Sequence, residues 1–132
     1  MLHLLDTNAC IDYLSGRFPN VVARIQAADP DALCTSAVVA AELRYAADRS
    51  RHPRRNHLRL DALLTEIRCV PFDADAALVF GLVRSELEAR GRPIGPYDMQ
   101  IAAHALYLHA TVVTDDVDEF ARVKGLNVEN WR

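Results

Sequence analysis

Short apolar, β-rich runs alternate along this chain with longer helical patterns, and no other feature constrains its fold as tightly. Leu2 to Leu5, Ala32 to Thr35, Arg68 to Phe72 and Thr111 to Thr114 each read as a short strand. Helical patterns fill the intervals. Ala9 to Leu14 forms one, closed by Ser15-Gly16, and Pro19-Asn20 opens another with Val22, Ile25 and Ala28 on one face. Ser36 is placed to cap a helix from Val38 to Ala47, and a loop running from Asp48 to His57 leads into a helix carrying Leu58, Leu60, Leu63, Leu64 and Ile67. Ala74 to Arg90 follows with Ala76, Phe80, Val83 and Leu87 on one face. Gly91, Pro93, Gly95 and Pro96 break that pattern before a helix with little polar face begins. Val117 to Ala121 starts a further turn of helix, and a short edge strand is expected at Leu126 to Val128. Such alternation predicts an α/β fold, a central mostly parallel sheet of about four or five short strands flanked by helices. Its ligand site is expected at the carboxyl ends of the strands.

A chain of 132 residues that is 51% hydrophobic suits one domain, residues 1–132, with a sizeable core. No apolar run reaches the ~18 residues needed to span a bilayer, and MLHLLDTN lacks the basic start and long apolar stretch of a signal peptide, so a cytoplasmic location without membrane contact is expected. Cys10, Cys34 and Cys69 form no close pair and lie in or beside apolar segments, as buried reduced thiols do. The formal net charge of −3 argues against a protein that simply coats nucleic acid.

The acids are more informative. Asp6 directly follows the first strand, and Asp115-Asp116 directly follow the Thr111 to Thr114 run, so a parallel sheet brings them to one edge. Glu42 lies beside an apolar helix face, where an acid needs a reason. Asp98 stands in the first turn of the apolar helix after Pro96. One reading makes it a cap or a charge favoured by the helix dipole. Another aims it at the same sheet edge as the other acids. Carboxylates gathered in a small volume must be partly protonated or hold a cation. With only oxygen ligands, that cation is expected to be Mg²⁺ or Mn²⁺ rather than zinc. Such an ion can bind a phosphate oxygen and acidify an attacking water, the chemistry of phosphodiester hydrolysis. Thr7, Asn8 and Thr114 flank the acids with short hydrogen-bonding side chains suited to orienting ligands or water, and equally to turns and caps.

Four segments, LLDTNACIDYL, SAVVAAEL, GRPIGPYDMQIAAHAL and TVVTDDVDEFARVKGLNVENW, together resemble the PIN-domain ribonuclease toxins of the VapC type, and the resemblance spans nearly the whole chain. It implies a PIN fold and a Mg²⁺- or Mn²⁺-dependent endoribonuclease inhibited by a VapB-type antitoxin. It also implies a homodimer and a toxin–antitoxin hetero-oligomer in which the partner inserts an arginine toward the acids. By position, Asp6, Glu42 and Asp98 match three of the family's acids, and Asp116 is the best match to the fourth. Asp6, Asp98 and Asp116 would then hold metal, with Asp115 as a further candidate, and Glu42 would act through a water or as its general base. The implied products carry 3′-hydroxyl and 5′-phosphate ends, and the implied substrates are structured RNAs such as tRNA or rRNA loops.

Arg49, Arg51, Arg54 and Arg55 of the basic stretch, with Arg84 and Arg92, are candidates to grip RNA phosphates; a solvated surface explains the same charges. Three alternatives stand beside the nuclease reading. A metal-free histidine pair would have to come from His52, His57, His104 and His109. An aspartyl-phosphate enzyme would use Asp6 as nucleophile, but it wants an acid where Asn8 stands and a lysine near the phosphate, and Lys124 is the only lysine. A catalytically silent module would keep the fold and bind RNA or an antitoxin.

Overall fold

The computed structural model describes residues 1–132, and its strands are too short to stand without the sheet they share. In chain order the elements are β1 (His3–Leu5), α1 (Thr7–Ser15), α2 (Pro19–Ala27), a 3₁₀ turn at Pro30–Ala32, β2 (Leu33–Ser36), α3 (Ala37–Asp48), α4 (Pro53–Glu66), β3 (Arg68–Val70), α5 (Ala74–Ala89), α6 (Pro96–Leu108), β4 (Thr111–Val113), α7 (Val117–Phe120) and β5 (Val128–Glu129). The five strands pair in the order β3-β2-β1-β4-β5, all parallel. Leu4 pairs with Cys34 on one side and Val112 on the other, placing β1 at the centre. Helices cover both faces of such a sheet, which is why Leu4, Leu5, Val112 and Val113 are buried in succession rather than alternately.

This order decides where function can sit. The chain lays β2 and β3 to one side of β1, then crosses to lay β4 and β5 on the other. The reversal falls between β1 and β4, and the crevice at the carboxyl ends of strands at such a point is where open α/β sheets bind ligands. Asp6 leaves β1 and Thr114 leaves β4 at that crevice, and the Asp6 N–H still donates to the Val113 carbonyl at 3.1 Å.

Helix starts follow local chemistry. Asp6 accepts from the Ala9 N–H at 2.8 Å, Ser36 from Val38 at 3.0 Å and Asp73 from Ala76 at 2.9 Å, so three strand-to-helix turns are closed by N-caps. Gly16, at φ 69°, ends α1. Several boundaries differ from the sequence expectation. Pro53 starts α4 at its first position, which draws Arg54 to His57 out of the expected loop and into helix. β3 stops at Val70 because Pro71 has no N–H to continue the ladder. The edge strand is Val128–Glu129 rather than Leu126 to Val128, since the Leu126 N–H closes a turn onto Val123. Cys10 and Cys34 are buried as expected, whereas Cys69 is only half-buried.

One ion pair fastens the last residues to α1. The Arg132 guanidinium grips Asp12 through Nε at 2.7 Å and Nη2 at 3.0 Å, and lies 4.1 Å over the Phe18 ring. Asp12 is only 4% exposed, so removing this partner would leave a buried carboxylate without its counter-charge. Trp131, also buried, lies beneath the Arg24 guanidinium. Arg132→Ala is expected to destabilise the fold by about 2–3 kcal/mol in urea denaturation, short of a fully enclosed pair because the arginine is partly solvated. A loss no larger than that of an exposed pair, below about 1 kcal/mol, would show that Asp12 finds another partner.

Candidate active site

A pocket of about 210 Å³ lies at the crevice between β1 and β4, lined by Asp6, Thr7, Asn8, Glu42, Asp98, Asp116 and Phe120. The four acids singled out in the sequence thus share one cavity. Each comes from a different element. Asp6 leaves β1, Glu42 stands on α3, Asp98 opens α6, and Asp116 precedes α7. Asp98 is not a cap. Gly95 occupies that position, and Asp98 lies in the first helical turn, where the helix dipole favours an acid.

A fifth acid joins them. Carboxylate oxygens of Asp98, Asp116 and Glu119 all lie within 4.8 Å of one another. The Glu119 carboxylate accepts the Gly95 N–H at 2.7 Å, tying α7 to the start of α6. Sequence reasoning missed Glu119 because it sits in a run of acids that reads as a solvated helix start. A signal was available. Asp116 and Glu119 stand at the N-cap and third position of α7, the acidic spacing of a capping box, and Asp116 accepts the Glu119 N–H at 3.4 Å.

Flanking residues hold the acids still. Thr7 Oγ1 donates to Glu42 at 2.6 Å, joining α1 to α3. Thr114 Oγ1 accepts the Asp116 N–H at 2.9 Å, shaping the turn after β4. Asn8 donates to Asp115 at 2.9 Å, and Asp115 lies 3.1 Å from Arg132 Nη1. These contacts keep Asp115 out of the pocket lining, on the side of Arg132.

Electrostatics reflect the crowding. Burial pushes the Asp6 carboxyl up to about 6, against hydrogen bonds from Thr114 and Ala9 that favour its charge. Asp98 is pushed up to about 7, first by burial, then by its hydrogen bond with Glu119 and the charges of Glu119, Asp6 and Glu42. The hydrogen bond between Asp116 and Glu119 raises the former and lowers the latter, so these acids share protons rather than carry full charge together. A set of oxygen donors that repel one another this strongly fits a hard divalent cation, whose charge would relieve the repulsion.

Other candidates fall elsewhere. His104 is buried in α6 with Nδ1 2.8 Å from Ser36 Oγ, and no histidine lines the acid pocket. Lys124 pairs with Glu86 at 3.4 Å and is absent from the pocket, which leaves Asp6 without the cation an aspartyl-phosphate enzyme would place there. Arg49, Arg51, Arg54, Arg55 and Arg92 are exposed, whereas Arg84 is engaged with Glu88 along α5. Arg51, Arg54 and Arg55 line a surface hollow with His52, Pro53 and Leu58 at the start of α4.

Residues 3–126 match the model of the PIN domain. The chain belongs to the PIN-domain family. This PIN domain is 38% identical over 128 residues to the tRNA(fMet)-specific endonuclease VapC of Shigella flexneri, covering 97% of the chain and 96% of that relative. Its structure superimposes with a TM-score of 0.93 on DNA-bound VapBC from Salmonella typhimurium, at 34% identity and full coverage of both chains. VapBC2 of Rickettsia felis, bound to a promoter DNA fragment, matches with a TM-score of 0.87 at 32% identity, again over both whole chains. The VapC-type resemblance drawn from the four sequence segments therefore holds across the chain.

The raised acids set a pH dependence. Asp6 and Asp98 titrate at about 6 and about 7 in the fold, above the value of about 3.9 for an unfolded aspartate, so their protonated forms stabilise the native state. That contribution is present below about pH 4 and is lost as pH rises through about 6 and about 7. In EDTA, the melting temperature of the PIN domain is expected to fall between about pH 4 and about pH 7, and Asp98→Asn should flatten part of that fall. Identical slopes for the two proteins in calorimetry would refute the assignment.

Proposed function

We propose that this PIN domain is the toxin of a type II toxin–antitoxin pair and acts as a Mg²⁺- or Mn²⁺-dependent endoribonuclease. One observation carries the reading: acids from β1, α3, α6 and the turn after β4 converge on a single pocket at the reversal of strand order. VapC-named relatives at 33–38% identity add the reaction class, since they are named ribonucleases or endonucleases.

In this reading Asp6, Asp98 and Asp116 hold the divalent ion, and Glu119 supports the set through Asp98 and Asp116. When bound, the ion supplies charge for a phosphate oxygen and acidifies a water. Glu42, fixed by the Thr7 hydroxyl, is oriented to take a proton from the attacking water. Asp6 stays in place because its carboxylate also caps α1. The helix dipole at the start of α6 favours the charged form of Asp98, which burial and the neighbouring acids oppose. The product ends are a 3′-hydroxyl and a 5′-phosphate.

The substrate class is structured RNA with accessible loops, in line with the tRNA specificity in the name of the Shigella flexneri relative. The partner is a VapB-type antitoxin, as in the VapBC complexes of Salmonella typhimurium and Rickettsia felis, and the VapC-type resemblance adds a homodimer of the chain within such a complex. The exposed arginines at the start of α4 are available to RNA phosphates.

Purified protein freed of antitoxin should cut RNA in Mg²⁺ or Mn²⁺ and stop in EDTA. Glu42→Gln should slow cleavage by on the order of 10²-fold or more, the usual contribution of a positioned base. Asp98→Asn should abolish it, and Asp6→Ala should relieve the growth arrest that expression of the wild type causes. Cleavage that persists in EDTA or in Asp98→Asn would overturn the metal site. Wild-type protein that binds RNA without cutting it would instead favour a silent module.

A further inference from the structure

The acid pocket does not end at its carboxylates. Thr7 and Glu42 form a wall shared with a second pocket of about 480 Å³, whose other lining residues are Ala41, Tyr45, Ala46 and Tyr97. Tyr45 stands one helical turn beyond Glu42 on α3, and Tyr97 immediately precedes Asp98 at the start of α6. Glu42 is therefore followed, and Asp98 preceded, on its own helix by an aromatic ring in the neighbouring pocket.

The chain has four tyrosines, and these two differ from the others. Tyr13 donates its hydroxyl to Glu66 at 3.3 Å, and Tyr107 to Asp75 at 3.4 Å. Tyr45 and Tyr97 have no hydrogen-bond partner, and are 68% and 58% exposed. Neither ring holds the fold together. An exposed aromatic pair over an alanine floor, next to a cluster of acids, offers two contrasting environments a few atoms apart.

We propose that this second pocket receives an unpaired nucleobase next to the scissile phosphate, with Tyr45 and Tyr97 as its stacking walls. The inference rests on the ribonuclease reading above and specifies how that site holds its substrate. A nucleotide divides in the same way as the two pockets. Its phosphate needs the cation that the acids would hold, and its base needs a flat, aromatic surface to cover. The second pocket has no basic side chain to hold a phosphate, so the base end is the part of the nucleotide that fits there. Stacking of this kind has no use for a base already stacked and paired in a helix, because both faces are covered. The pocket therefore selects strands that are locally single, such as loops, and is indifferent to most base identities because every base has a π-face.

The test uses the whole protein and two RNAs, a hairpin with an unpaired loop and the same loop sequence locked in a duplex. Tyr45→Ala and Tyr97→Ala should each raise KM for the hairpin about tenfold, with the loss falling on KM rather than kcat, while the phenylalanine variants stay within about twofold of wild type. In Ca²⁺, an ion with the same oxygen preference, 2-aminopurine in the loop should be quenched by wild type and the phenylalanine variants but not by the alanine variants. Alanine variants that cleave the hairpin with wild-type KM would overturn the proposal, as would equal cleavage of duplex and hairpin. Normal cleavage combined with lost affinity for the antitoxin would assign the two rings to protein docking instead. Wild-type protein that quenches 2-aminopurine but cuts no RNA would defeat the nuclease reading and leave the stacking pocket standing.

Discussion

Repulsion among carboxylates is the constraint on which the rest of this structure depends. Five acids, Asp6, Glu42, Asp98, Asp116 and Glu119, face or border one small cavity; burial first, with the charges of Asp115 and Asp12, drives Asp6 above the ordinary aspartate range, and burial with Glu119, Asp6 and Glu42 does the same for Asp98. A fold gains nothing from assembling such a cluster unless something else depends on it. The chain meets the cost with local devices. Asp6 doubles as a helix cap, Thr7 fixes Glu42, Glu119 accepts a backbone N–H from Gly95, and Asp98 sits at the positive end of α6. The first three devices also join two elements, so those acids are held by the same contacts that close the sheet edge.

The sheet order explains why these particular residues meet. β1 and β4 are far apart in sequence and adjacent in space, and the chain reverses direction of layering between them. Asp6 and the Thr114–Asp116 turn leave those two strands on the same side. α3 and α6, which pack against each other, then deliver Glu42 and Asp98 to the same crevice. Reversal of strand order leaves the space, and the acids line it with the oxygen donors a divalent cation would need.

Arg132 shows a second use of charge in the same region. Its guanidinium binds buried Asp12 and reaches Asp115, which in turn is held by Asn8. Of the two adjacent acids after β4, Asp115 is engaged by Asn8 and Arg132 while Asp116 lines the pocket. Two acids in sequence thus stand in different surroundings because an arginine sits beside only one of them.

Much of this was legible in the sequence. The alternation of strand and helix, the acids following apolar runs, and Glu42 beside an apolar face all follow from local periodicity, and they named four pocket acids correctly as neighbours. Glu119 was legible only as a capping-box partner of Asp116, because an acid in an acidic helix start looks the same whether it faces solvent or a neighbouring helix. Asp98 as a cap, Asp115 as a metal ligand and the two tyrosines depended likewise on which groups packing brings alongside. Sequence by itself determined the elements and which residues carry charge, since period and composition are local properties. Tertiary structure decided which charges share a cavity, because only the order of strands sets distances between residues a hundred positions apart.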